Sequence, residues 1–148
     1  MLMRMNGRDV AMSVFTPAEI AFLQAHRVGR LATVGASGEP HVVPVAYRYN
    51  PDEDTIDIGG AFIGKSKKYR DAGRTGRAAF VVDERIEGAQ TPWHVRGVEV
   101  RGRAEVHATG GQAFRPDGDP EFIRIRPGYV VSWGIDADAF HPQGRRVG

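Results

Sequence analysis

Apolar and polar residues alternate most cleanly in TIDIGG, where Ile56 and Ile58 oppose Thr55 and Asp57, the period-two signature of a strand with one buried face. Upstream, VGRLATVG (28–35) and PHVVPVAYRYN (40–50) flank Ala36-Ser37-Gly38, a short link with a turn glycine, and so predict an antiparallel hairpin. NPDED (50–54) supplies the next turn, making a three-strand meander. Downstream, RAAFVVDE (77–84) reads as a buried strand. VRGVEVRGRAEVHA carries Val95, Val98, Val100, Ala104 and Val106 in imperfect alternation, with Gly97 and Gly102 as bends or bulges of one long strand. FIRIRPGYVVSWGID predicts a last strand pair turning at Pro127-Gly128, and GGQAFRPDGDP before it is loop.

Two stretches have helical character. Thr16-Pro17-Ala18-Glu19 is a capping box, with Thr16 as N-cap and Pro17 at the first helical position. The helix it starts runs to about His26 and docks Ile20, Phe22 and Leu23 on the sheet. The second covers residues 65–73. The first eleven residues, MLMRMNGRDVA, have no period and are expected to be a disordered extension or a mis-chosen start ahead of a single domain over 12–148. About six antiparallel strands with short turns and two small helices predict a mainly β fold closed into a barrel, since closure removes exposed edges.

Composition narrows this reading. A chain of 148 residues and 16.2 kDa fits one core. The absence of cysteine excludes a disulfide framework, a thiolate zinc site and a cysteine nucleophile. No apolar run approaches the roughly 20 residues that cross a bilayer, so no membrane partner and a cytoplasmic location are expected. A net charge of +2 argues against a wholly electrostatic nucleic-acid binder.

Charge is nevertheless concentrated locally. All three lysines, Lys65, Lys67 and Lys68, fall in GKSKKYRD, and the other basic residues are arginine. At a helix start the lysines face the positive end of the helix dipole, at a cost of about 0.3–1 kcal/mol each when exposed. Asp71 can pair with Lys67 or Lys68 but cannot satisfy both. A phosphate accepting from backbone N–H groups, the Ser66 hydroxyl and the ammonium groups would relieve that strain. The preceding Gly59-Gly60 would let a ligand approach the backbone. A solvated basic turn is the alternative reading.

Other candidates have plainer explanations. His41 could donate to a cofactor carbonyl, or be a structural strand histidine. His26, His94, His107 and His141 lack metal-ligand spacing, so no metal is expected. Trp93 and Trp133 can be core aromatics. Arg124 and Arg126, alternating with Ile123 and Ile125, predict an outward, solvent-facing pair, with contact to a cofactor tail as the alternative, and Arg145 is read as a tail residue. No catalytic triad or carboxylate pair can be argued from spacing.

GRLATVGASGEPHVVPVAYRY, then a strand ending Ile58-Gly59-Gly60, then Ser66-x-Lys68 opening a helix that ends before Gly76-Arg77-Ala78-Ala79-Phe80-Val81-Val82, together resemble the pyridoxamine 5′-phosphate oxidase-like split β-barrel flavoproteins over about residues 14–136. SKKYRD, the Pro92-Trp93 before EVRGRAEV, and the closing VVSWGID are similar to the branch using the deazaflavin coenzyme F-420. The resemblance implies a six-stranded split barrel, a homodimer, and a cofactor site at each side of its interface. Carried onto this sequence, Ser66 and Lys68 hold the cofactor phosphate, with Lys65 and Lys67 close by. The backbone of Val43, Pro44 and Val45 lines the ring, Gly59 and Gly60 border the ribityl chain, and Trp93 and Trp133 are walls from the interface side. The cofactor implied is F-420, whose lactyl-oligoglutamate tail gives surplus cations an anion to meet, with FMN as the alternative. The loop between the last strands is short, so part of the substrate-side helix of larger members is missing.

Three functions follow as expectations: a reductase passing hydride to or from a small organic substrate, a cofactor-binding protein without turnover, and, last, a nucleic-acid binder. The last needs aromatics interleaved with the basic residues, and only Tyr69 interleaves.

Overall fold

The computed structural model describes residues 2–5 and 8–148, with side chains from Met12 onward. Within the first eleven residues, expected to be disordered, Leu2–Met5 (β1) pairs antiparallel with Arg8–Ala11 (β2), a ribbon sharing no ladder with the main sheet. Met1, Asn6 and Gly7 lie outside the described residues. The helix Pro17–Ala25 (α1) follows. Its capping box is complete, the Thr16 hydroxyl accepting the Glu19 N–H at 3.1 Å and the Glu19 carboxylate accepting the Thr16 N–H at 2.9 Å.

The strands Val28–Val34 (β3), Pro40–Asn50 (β4), Thr55–Gly59 (β5), Arg77–Arg85 (β6), Val95–His107 (β7) and Phe122–Trp133 (β8) pair in the order β5-β4-β3-β6-β7-β8, and β5 then pairs with β8. The result is a closed six-stranded antiparallel barrel. A short strand, Gln143–Arg146 (β9), lies beside the second half of β8 outside the closed ring. Alternation decides the core: Leu31, Ile56, Ile58, Phe80, Val98, Val100, Ile123, Ile125 and Val130 are all at most 1% exposed. Each such side chain contributes about 1.5–3 kcal/mol by leaving water. Phe22 and Leu23 of α1 are buried against that core as expected, and Ile20 packs on its margin.

The expected strand pair at Pro127-Gly128 is instead one continuous strand. The thirteen-residue β7 is long enough to template both halves of β8, so a turn there would forfeit half the ladder. The surplus residue is absorbed as a bulge: Arg101 pairs with Tyr129 and Gly102 with Pro127, leaving Gly128 unmatched, and a bulge tolerates proline's missing N–H. Gly102 makes the bulge possible, because a Cβ there would lie 1.9 Å from the Arg126 carbonyl oxygen.

Between β5 and β6, a single 3₁₀ turn over Ile63–Lys65 leads into the helix Lys67–Thr75 (α2). The helix begins two residues later than the sequence suggested, because the Ser66 side chain serves as its N-cap. Gly76, in the left-handed conformation at φ 67°, ends it, its N–H reaching the Ala72 carbonyl at 2.9 Å.

Candidate cofactor site

Ser66 occupies the junction between the 3₁₀ turn and α2. Its hydroxyl accepts the Tyr69 N–H at 3.3 Å and donates to the Ile63 carbonyl at 2.6 Å, which fixes the direction of the helix start. The three lysines that follow the same sequence logic have different surroundings. Lys67 donates to Asp71 at 2.7 Å, one turn along, and lies 3.7 Å from Glu39 on the β3–β4 turn. Its hydrogen bond to Asp71 raises the ammonium's pKa and lowers that of the carboxyl. Among the described residues, neither Lys65 nor Lys68 has a carboxylate within ion-pair distance. Lys68 is half-buried, and that burial lowers its pKa. An anion at this corner therefore meets two uncommitted ammonium groups, while Lys67 ties the helix to the neighbouring hairpin.

The second part of the site is an open backbone edge. β5 pairs with β4 only from Ala46–Gly59 to Asn50–Thr55, so Pro40–Val45 extends past the end of β5. On its other side the same segment is fully paired with β3. The Tyr47 N–H donates to the Arg27 carbonyl and the Gly35 N–H to the Glu39 carbonyl, so the odd-numbered residues of β4, Val43 and Val45 included, turn their main-chain groups to β3. The open edge offers the Val42 N–H and carbonyl and the Pro44 carbonyl, a short row of polar atoms for a flat heterocycle. Val45 is buried, Val43 half-buried, and Pro44 points outward. Gly59 and Gly60, where the chain leaves β5, stand directly beyond this edge, and no atom lies within 4 Å of where a Gly60 Cβ would be. The fold therefore gathers Val43 to Val45, Gly59, Gly60 and the helix start at one corner of the barrel.

Neither tryptophan is a buried core residue. Trp93 is 79% exposed on the loop after β6. Trp133, at the end of β8, lines a shallow apolar groove of about 280 Å³ on the outer barrel face with Ala32, Val42 and Val81. Arg124 corrects the expectation of a solvent-facing pair: its guanidinium makes two 3.0 Å hydrogen bonds to Asp57, which is completely buried. Arg126 pairs with Glu105 at 2.6 Å and holds that carboxyl down at about 2. Arg145 is no free tail residue either, since it donates to the buried Glu19 and to the Val14 carbonyl.

Phe114 and Arg115 were not anticipated. They sit in the loop GGQAFRPDGDP and cover Gly59, where a Cβ would come 2.9 Å from the Phe114 ring. A loop without periodicity carries no signal for such packing; Gly59 was the available clue.

A closed six-stranded antiparallel barrel with two short flanking helices is a split β-barrel. The chain belongs to the pyridoxamine 5′-phosphate oxidase family, whose sequence model matches residues 15–133. It is 45% identical over 124 residues, 84% of this chain and 86% of the relative, to a 5a,11a-dehydrotetracycline/5a,11a-dehydrooxytetracycline reductase of Streptomyces rimosus. Among solved structures, an FAD-binding protein of Mesorhizobium loti is 27% identical with a TM-score of 0.56, over 80% of this chain and 91% of that one. A heme-binding protein of Mycobacterium smegmatis shares the fold at 18% identity and a TM-score of 0.64, over 90% of this chain, which spans 60% of that protein's length.

Proposed function

We propose that the protein is an F-420-dependent oxidoreductase that works as a homodimer, with residues 12–148 as its cofactor-binding unit, and transfers hydride to or from a small organic substrate. The observation that carries the oxidoreductase reading is the 45% identity, over most of both chains, to a named reductase. The deazaflavin reading is supported by Lys65 and Lys68, two cations without a carboxylate partner among the described residues, which can meet a singly charged phosphodiester together with a carboxylate of the coenzyme's tail.

The bound ring would supply the two-electron chemistry. The chain's own residues hold and orient it: Ser66 and Lys68 at the phosphate, the open edge of β4 at Val42 and Pro44 along the ring, and Gly59 and Gly60 beside the linking chain. Trp93 and Trp133 would approach from the partner subunit's side. Apolar surface around Val42, Ala32 and Trp133 supports the dimer. Among the described residues no helix is long and apolar enough to cross a membrane, and no group of histidines and carboxylates could hold a metal ion. A cytoplasmic location, without nucleic-acid or membrane partners, is part of the same proposal.

An FMN-dependent enzyme of the same fold is the second reading, favoured by the 27% identity to an FAD-binding protein. Titration with oxidised F-420 and with FMN, followed by ring fluorescence, distinguishes the two. Saturation by F-420 in the micromolar range, weakening with salt, is expected. Stoichiometric FMN copurifying from a host without the deazaflavin would overturn it. Turnover of reduced coenzyme with unsaturated acceptors then separates an enzyme from a binding protein.

A further inference from the structure

The connection from β5 to α2 is an arch over residues 60–64, and one residue of the β7–β8 loop holds both its feet. The Asp119 N–H donates to the Gly60 carbonyl at 3.0 Å, and the Gly64 N–H donates to the Asp119 carboxylate at 3.2 Å. Between the feet, Ile63 is anchored in the core at 1% exposure, and the Phe62 carbonyl accepts the Lys65 N–H at 3.2 Å. The backbone of the arch is thus fixed from three directions.

At its apex stands Phe62, in the left-handed conformation at φ 61° and ψ 15°, with a side chain 77% exposed. Among the described residues one other non-glycine, Asp54, has a positive φ. Aspartate tolerates that conformation, whereas a bulky aromatic there is an outlier. Two unfavourable features therefore coincide in one residue, a strained backbone and a large apolar ring in water. The protomer does not bury the ring, so burial does not offset the strain. Strain held in place by its surroundings is characteristic of ligand clamps.

Position supplies the ligand. One foot of the arch is Gly60, beside the proposed linking chain of the cofactor, and the other runs through Gly64 into the Lys65–Ser66 start of the phosphate corner. Phe62 is separated from Gly60 by no more than about 7 Å of chain. We propose that Phe62 is a clamp, whose ring closes over the chain linking the cofactor's ring to its phosphate, and that Asp119 is the positioning residue that presents it. The clamp rests on the cofactor site proposed above. It does not depend on which cofactor binds, since F-420 and FMN share the ribityl phosphate.

The test uses the full-length protein with oxidised F-420, and FMN in parallel, followed by ring fluorescence in stopped flow. Phe62→Ala removes the ring; Phe62→Asn also relieves the backbone, because asparagine accepts the left-handed conformation. Each should raise the cofactor's dissociation rate about five- to tenfold with little change in association, since a clamp acts on escape. Phe62→Asn should melt no lower than the wild type. Asp119→Ala should reproduce the faster dissociation, Asp119→Asn, which keeps an acceptor for Gly64, should restore most of it, and Asp119→Ala should add nothing to Phe62→Ala. Dissociation unchanged in both Phe62 variants overturns the clamp. So does faster dissociation accompanied by a lower Tm, which makes the ring a folding element, or by conversion of a dimer to monomers in sedimentation, which gives it to the partner subunit. A wild type that binds neither F-420 nor FMN removes the cofactor reading and the clamp together, whereas wild-type binding that the variants leave unchanged removes the clamp alone.

Discussion

Asp57 and Arg124 face each other across the seam that closes the barrel, joined by two hydrogen bonds of 3.0 Å from Nε and Nη2 to the two carboxylate oxygens. That seam contains only three register pairs, and this one stands between Ile56–Ile125 and Ile58–Ile123. Asn50 and Thr55 each donate to the same carboxylate at 2.8 Å, so the buried charge is fully engaged. The pair holds β5 to β8 in one register, since a slip of one residue would put its charges among the core isoleucines.

Removing one partner leaves the other charge buried. Arg124→Met should therefore lower unfolding free energy by about 3 kcal/mol, the lower end of the range for breaking a buried pair, because Asn50 and Thr55 still serve Asp57. Urea denaturation measures it. A loss under about 1 kcal/mol would mean that the seam is held by its isoleucines alone.

At the helix start Lys68 and Lys67 should separate by function. Lys68→Ala is expected to weaken F-420 binding by about 1.5–3 kcal/mol with little change in Tm, as for one charge-assisted hydrogen bond. Lys67→Ala, which loses Asp71 and Glu39, should change the thermal midpoint as well as binding. Arg74→Ala is the appropriate control, because Arg145 is tied to Glu19. Equal affinities for the Lys68 variant and the control would reduce the cluster to a solvated basic turn.

Sedimentation at micromolar concentration should report about twice 16.2 kDa. Val42, 64% exposed on the outer face beside Trp133, is where a charge should split the dimer without unfolding the protomer. Val42→Glu should sediment as a folded monomer and lose cofactor affinity. A monomeric wild type that still saturates with cofactor would contradict the dimer.

Glu19 links α1 to β9, and its charge makes that link depend on pH. Burial opposes ionisation, but hydrogen bonds from Arg145, the Thr16 N–H and Ser132 outweigh it, so the pKa lies below the ordinary carboxylate value of 4.5. A depressed folded-state pKa means stability that is present above the unfolded value and lost as pH falls through the folded one. Melting temperature should thus be flat above about pH 5 and decline below about pH 4.5. Glu19→Gln should be less stable at pH 7 and show a shallower decline in acid; parallel acid profiles would show that Glu19 titrates as it does in the unfolded chain.

Local signals were legible wherever a residue acts on its near neighbours in the chain. Thr16 and Glu19 close a capping box within four residues, and Ser66 starts α2 through Tyr69, three residues on. Alternation picked out Ile56 and Ile58 of β5 and Val98, Val100 and Ala104 of β7 because a strand's side chains have only two faces to choose between. But Thr55 and Asp57 on the other face of β5 are buried as well and Val106 is 37% exposed, outcomes set by what packs on the strand from elsewhere. Pro127-Gly128 misled for the same reason: locally it is a turn signal, and only the length of β7 opposite makes it a bulge.

The sequence by itself determined a mainly β domain, its two helices, and a cluster of lysines at one helix start, all consequences of periodicity and short-range hydrogen bonding. Tertiary structure alone decided which lysines remain uncommitted, because Glu39 approaches Lys67 from another element. It likewise placed Arg124 on Asp57, 67 residues away, and Arg145 on Glu19, 126 residues away, pairings that no spacing rule reaches. Arg27, Arg48 and Arg115, from a helix end, a strand and a loop, line a single cleft for the same reason.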